Sequence, residues 1–208
     1  LTYRLWQVLK KGIAEEDVGD IYKLETSLIP VLIDMRRLGV RIDVDRAQQV
    51  KRQLQKEESK VLKEVKRWYG IEPDLWAAQS LAQVFDRAGL DYPKTPKTNA
   101  PSFVANWLEE QDHRLPMAIA KARKLNKART TFIDKMILEH MVEGRIHGEL
   151  HPLRSDNGGT VTGRFSCSNP NLQQVPARDP MIGQLIRSLF IPEEGSNWGC
   201  FDYSQQEP

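Results

Sequence analysis

Between Asp43 and Tyr69 the apolar residues Val50, Leu54, Val61, Val65 and Trp68 recur at spacings of 4, 7, 4 and 3, in a stretch otherwise dominated by Lys, Arg, Gln and Glu. This period predicts a long amphipathic helix with Asp43 or Asp45 as its N-cap. The apolar stripe is narrow, so it suits one partner helix and not a broad core. That partner is expected between Met117 and Met141, where Ala118, Ala122, Leu125, Phe132, Met136 and Ile137 supply apolar positions separated by basic ones. Together the two segments predict a protruding antiparallel helix pair.

Other segments read as follows. Residues Leu1 to Leu9 place Leu1, Leu5, Val8 and Leu9 on one helical face, and a helix from about Ile21 to Leu38 presents Leu24, Leu28, Val31, Leu32, Met35 and Leu38. Gly39 stands where a C-terminal stop belongs, and Pro30 is expected to kink this helix. Asp74 to Ala88 reads as a shorter helix closed by Gly89, followed by a Pro-punctuated loop from Tyr92 to Pro101. After Gly144 the pattern changes. Arg145–Pro152 and Gly159–Thr162 look like short strands around the Asp156-Asn-Gly-Gly turn, and Trp198–Phe201, after the turn-like Pro192–Asn197, reads as a buried strand. The expected fold class is α+β: a mainly helical part with the long antiparallel helix pair, then a smaller part with short β-strands.

With 208 residues, 40% of them hydrophobic, the chain can bury the core of one domain or a domain and a half. A net charge of only +2 excludes a polybasic binder, so any nucleic-acid role must come from local clustering. Cys167 and Cys200 form no CxxC pair, which argues against a zinc site or disulfide framework and fits a reducing compartment. No apolar run approaches the roughly 18 residues of a membrane span, and the N-terminus lacks the order of a signal peptide. The chain opens without methionine and ends within a motif, as a piece of a longer protein would.

Three clusters carry chemistry. From Lys121 to Lys135, Lys121, Arg123, Lys124, Lys127, Arg129 and Lys135 face one acid, Asp134, with Asn126, Thr130 and Thr131 among them. Such a run either neutralises phosphates or is a solvated helix face. The basic stretch Lys51–Arg67, interleaved with Glu57, Glu58 and Glu64, reads as a solvated, salt-bridged face. Arg164, Asn171, Gln173 and Gln174 are donors of a different kind. They can reach minor-groove acceptors that every base pair presents in nearly the same place, which tests pairing without reading sequence. The alternative is a pair of turns whose amides bond their own backbone. Asp202, leaving the expected strand, either binds a hard cation such as Mg²⁺ or caps a turn. His147 and His151 are four apart, but Gly148 and Pro152 argue against a helix and hence against a metal pair.

The stretch Thr162-Gly-Arg-Phe-Ser-Cys-Ser-Asn-Pro-Asn-Leu-Gln-Gln-Val-Pro176, followed by Asp202-Tyr-Ser-Gln-Gln-Glu207, closely resembles the family A DNA polymerases, the DNA polymerase I type of bacteria and phages. Leu24–Asp43 resembles the opening of that family's polymerase domain, and Lys124–Phe132 its thumb tip. The resemblance implies residues 1–20 as the tail of an upstream exonuclease-like domain, 21–143 as a helical thumb region and 144–208 as a partial palm. It implies template-directed addition of deoxynucleotides to a primer 3′ end by two-metal phosphoryl transfer, with two Mg²⁺ ions in the complete enzyme. The implied partners are primer-template DNA, deoxynucleoside triphosphates and the remaining polymerase segment or a second chain carrying it, in the cytoplasm of a bacterial or phage-infected cell.

Residue by residue, the resemblance carries Arg164 over as a primer-end contact, Asn171, Gln173 and Gln174 as minor-groove or template contacts, and Lys124, Lys127, Arg129, Thr130 and Thr131 as the duplex grip. Arg178 falls near the incoming triphosphate, Asp202 and the Tyr203 carbonyl at the metal, and Glu207 at a steric gate against a ribose 2′ hydroxyl. Ser204 and Glu207 also spell a capping box. Gln206 for the usual Ile and Pro208 for the usual Leu depart from the family pattern. The family's fingers helix and its later His-Asp-Glu motif have no counterpart here, so the expectation is negligible nucleotide incorporation by these residues alone. A non-catalytic duplex-binding module and the N-terminal subunit of a split polymerase are the alternative readings.

Overall fold

The computed structural model describes residues 1–154, 158–177 and 179–204. The fold is α+β, and the chain divides into two units, one of Leu1–Arg41, His140–Gln174 and Ile191–Pro208, the other of Ile42–Glu139 and Val175–Phe190.

The second unit is built on α3 (Val44–Tyr69) and α6 (Arg114–Lys127). Asp43 caps α3 by accepting from Arg46 N at 3.0 Å, and Gly70, at φ +73°, ends it in the left-handed conformation a glycine adopts freely. The face expected to be apolar is buried: Val50, Leu54, Val61 and Val65, joined by Ala47 and Tyr69. Trp68 is half-buried beside it. The helices run antiparallel, because α3 positions fall as partner positions rise: Tyr69 meets Arg114 at 3.1 Å, Glu58 meets Asn126 at 2.7 Å and Lys51 meets Asp134 at 2.7 Å. From the partner side Leu115, Ile119, Ala122 and Leu125 are fully buried.

All six apolar positions expected of the partner are buried, yet the segment is not one α-helix. After Lys127 it continues as a π-helix, Ala128–Leu138, whose end shows the wider spacing directly: Glu139 N donates to Asp134 O at 2.9 Å.

Helices α4 (Ala78–Ala88) and α5 (Ala105–Glu110) complete the unit's core together with α7 (Ile182–Arg187). The rings of Phe85, Tyr92, Phe103 and Trp107 cluster with centroids 4.7 to 6.1 Å apart. The helix expected from Asp74 begins only at Ala78. Asp74 instead folds a turn, its carboxylate accepting from Trp76 N at 2.9 Å while its own N–H donates to Ser80 Oγ.

In the other unit, α1 (Thr2–Glu15) and α2 (Gly19–Leu38) have no buried residue among those described. α2 continues through Pro30 as one helix, and Leu24, Val31, Met35 and Leu38 of its expected apolar face are exposed. β1 (Val40–Ile42), β2 (Met141–Val142), β3 (Arg145–Ile146) and β6 (Phe190–Ile191) form a sheet of order β2–β3–β1–β6, antiparallel where β2, β3 and β1 meet. Gly39 lets α2 turn into β1 at φ +63° and ψ −173°, where a Cβ would lie 2.7 Å from His147 Nδ1 and 2.8 Å from Ile146 O. His147 Nδ1 donates to Arg36 O at 2.7 Å.

Two strand expectations are corrected. β4 (Glu149–His151) pairs with β5 (Ser166–Ser168), and residues 159–162 form no strand. Gly159 and Gly163 have φ of +98° and +73°, and Thr160 Oγ1 bonds Arg164 O at 2.6 Å, so local turns displace extended chain. Trp198–Phe201 is neither a strand nor buried: Phe201 is 95% exposed. The segment belongs to neither sheet. The Asp156-Asn157 part of the expected turn lies outside the described residues.

Ile119→Ala, at a fully buried α6 position, is expected to lower stability by about 2 to 5 kcal/mol in urea titrations followed by circular dichroism. Gly39→Ala, forced into a backbone region that is nearly glycine-only, is expected to cost about 1 to 3 kcal/mol by the same measurement.

Candidate nucleic-acid interface

The basic run emerges where α6 widens into the π-helix. Lys121, Lys124, Lys127 and Lys135 are exposed, Thr130 and Thr131 half-buried. Lys124 pairs with Glu109 at 3.0 Å and lies 4.0 Å from Asp179, both contacts at half-exposed side chains that water screens. Arg123 turns inward, donating to the Leu75 and Phe103 carbonyls, and burial lowers its pKa without discharging it.

Arg129 is not a solvent-facing cation. Its side chain is 19% exposed, with Nε and Nη2 donating to Glu58 Oε2 at 3.3 and 3.2 Å. Glu58, on α3, is the one charged residue that is buried among those described. Asn126 Nδ2 also donates to it, at 2.7 Å, while Asn126 Oδ1 accepts from Trp76 Nε1 at 3.1 Å. Sequence reasoning missed Glu58, although a signal was there. In the α3 stripe the spacing of 7 between Leu54 and Val61 is one apolar residue short, and Glu58 fills that gap at i+4 from Leu54.

The outer α3 face is solvated as expected, and of its cations Lys51 pairs with Asp134 at 2.7 Å and Lys66 with Glu72 at 2.9 Å, while Glu58 turns inward. Arg52, Lys56, Lys60, Lys63 and Arg67 are exposed and form no ion pair among the described residues. Glu57 is half-buried and accepts from Gln53.

In the other unit, the amide-rich motif is built on the β4–β5 hairpin. Cys167, central in β5, is buried with its thiol donating to Pro170 O at 3.4 Å. Gly148 lets the 3₁₀ turn Leu172–Gln174 approach closely, since a Cβ there would lie 3.0 Å from Leu172 Cδ1. Asn171 Oδ1 accepts from Gln173 N at 3.1 Å, and Gln173 Nε2 donates to Phe165 O at 3.0 Å. Both amides therefore fold the motif onto itself, as the turn alternative requires. Arg164 and Gln174 are exposed. His151 Nε2 hydrogen-bonds Ser168 Oγ at 2.7 Å and so serves the hairpin.

Asp202 and Tyr203 are exposed in irregular chain, while Arg178 and Glu207 lie outside the described residues. Among the described residues no group of three or more His, Cys, Asp or Glu comes together as a metal ion would need. One exposed carboxylate does not fit a two-metal centre, so the described residues do not by themselves house Mg²⁺. No helix among the described residues is long and apolar enough to cross a membrane.

Comparison with known proteins matches residues 44–208 to the model of DNA polymerase family A. A DNA-directed DNA polymerase of Pseudomonas phage M6 is 38% identical over 96% of this chain and 31% of its own length. DNA polymerase DpoZ of Acinetobacter phage SH-Ab 15497 is 32% identical over 99% of this chain and 36% of its own. The thermostable DNA polymerase I of Thermus thermophilus is 37% identical over the whole chain and 25% of its own length. A solved structure, the POL domain of Pol1 from M. smegmatis in complex with a DNA primer-template and dNTP, shares the fold at a TM-score of 0.65 and 24% identity, over 82% of this chain and 30% of that one. The chain thus spans between a quarter and little more than a third of the length of these relatives. Since the family match covers well over half of its residues, the chain belongs to DNA polymerase family A.

Proposed function

We propose that this chain provides the thumb and the first palm portion of a DNA-directed DNA polymerase. The observation that carries the reading is the Lys- and Thr-bearing flank midway along a packed antiparallel helix pair, within a chain of this family. A rigid rod with a basic, hydroxyl-bearing flank grips duplex DNA through its phosphates, which carry no sequence information. Lys124, Lys127, Thr130 and Thr131 are the contacts in this reading. On the hairpin, the exposed Arg164 and Gln174, with the Asn171 Nδ2 donor, supply the minor-groove test of pairing. Gln173, whose amide hydrogen bond goes to Phe165 O, orients that turn.

Asp202, the Tyr203 carbonyl, Arg178 and Glu207 belong to the nucleotide-handling end. The further carboxylate that a two-metal centre requires comes from the remaining polymerase segment, in one chain or two. Mg²⁺, deoxynucleoside triphosphates and the primer-template are the ligands of that complete assembly.

The test is fluorescence anisotropy of the 208-residue chain with a labelled primer-template duplex across a salt series. Binding is expected at low salt with a steep salt dependence, and Lys127→Gln is expected to reduce the slope of log K against log salt by about 0.9 and to weaken all duplex sequences alike. Absence of duplex binding at low salt would refute the reading. In a primer-extension assay the same chain with Mg²⁺ and all four deoxynucleotides is expected to leave the primer unextended. Extension would show a complete active centre and overturn the assignment of this chain as a part.

A further inference from the structure

We propose that Glu58 is a positioning residue for duplex DNA: by holding Asn126 and Arg129 it fixes the point at which α6 widens into the π-helix, and Arg129 acts through this contact and not on a phosphate. The inference rests on the duplex-binding reading above.

Burying a carboxylate is costly unless strong donors replace its water. Glu58 receives three, from Asn126 Nδ2 and from two nitrogens of Arg129. These two residues bracket the junction between Lys127 and Ala128 where the hydrogen-bond spacing changes. The junction is held further on both sides. Thr130 Oγ1 donates to the Asn126 carbonyl at 2.9 Å, and Trp76 Nε1 fastens the Asn126 amide from outside the helix pair. Beyond it, Arg129 Nη1 lies 3.6 Å from Asp134, whose other oxygen pairs with Lys51 of α3 at 2.7 Å.

The position of the junction matters because a π-helical turn carries more residues than an α-helical one, so every later side chain points in a direction set by where the widening begins. Thr130 and Thr131 follow it at once, and Lys127 immediately precedes it. One carboxylate on α3 thus determines how two grip residues, Thr130 and Thr131, are presented. Arg129, with its charge already matched by a buried anion, releases no counterion when DNA binds and contributes nothing to the salt slope.

The experiment is the same anisotropy titration of the full 208-residue chain, with thermal melts of each variant as a check on folding. Glu58→Gln is expected to weaken duplex binding by about tenfold with the salt slope unchanged. Arg129→Gln is expected to behave the same way, and the double variant to be no weaker than either single one, since both break one coupled pair. A slope lower by about 0.9 in Arg129→Gln would identify a direct phosphate contact and overturn the proposal. So would wild-type affinity in Glu58→Gln. Should either single variant fail to fold, Glu58→Leu/Arg129→Leu removes the pair without leaving a buried lone charge. Weakened binding at the wild-type slope supports the proposal there, and wild-type affinity or a reduced slope overturns it. If the unaltered chain does not bind duplex, the proposed function itself falls and this role with it. If it binds, the Arg129 slope judges the positioning role alone.

Discussion

The removal of one α3 face from water by α6 and the π-helix is the contact on which the second unit depends. Val50, Leu54, Val61 and Val65 supply four of its buried positions, and Ile119, Leu125, Ile133 and Ile137 answer them from the partner segment. Each buried aliphatic side chain contributes about 1.5 to 3 kcal/mol relative to an exposed one. No comparable core underlies α1 and α2, whose side chains all stay at least partly open to solvent. The aromatic cluster of Phe85, Tyr92, Phe103 and Trp107 then closes α4 and α5 against the same body, and the half-buried guanidinium of Arg123 ties the Leu75 and Phe103 carbonyls to α6.

Much of this was legible in the sequence, and the reasons are specific. The α3 stripe and an N-cap at Asp43 or Asp45 are local signals that packing reinforces, so position and extent follow from them, with Asp43 taking the cap and Gly70 ending the helix. The apolar set of the partner segment was equally visible, because burial depends on side-chain chemistry. The π-helix was not. Periodicity over eleven residues does not separate a spacing of five from one of four when Phe132, Ile133, Met136 and Ile137 are buried in either reading. Glu58 was misread for a related reason, as charge count along a helix says nothing about which acid turns inward. Only the gap it fills in the apolar stripe betrays it.

The other unit was less readable. Its strands are two or three residues long, too short for alternation to show, and β4 finds its partner inside the amide-rich motif and not in the adjacent Gly-Thr run. Asn171 and Gln173 commit only part of each side-chain amide to the fold. The oxygen of one and the nitrogen of the other hold the turn, leaving the opposite ends of both amides with separate chemistry. Asp202 was expected to leave a buried strand and stands instead in exposed chain, so no desolvation argument for its ligand survives from this structure alone.

The widened segment Ala128–Leu138 bears on how such a gene can change. Loss of one codon there, with the wide spacing kept, would swing everything beyond the cut by roughly a quarter of a turn around the axis. Met136 and Ile137 would rotate out of the interior. Insertions and deletions of a single residue are therefore excluded in this segment far more strictly than substitutions.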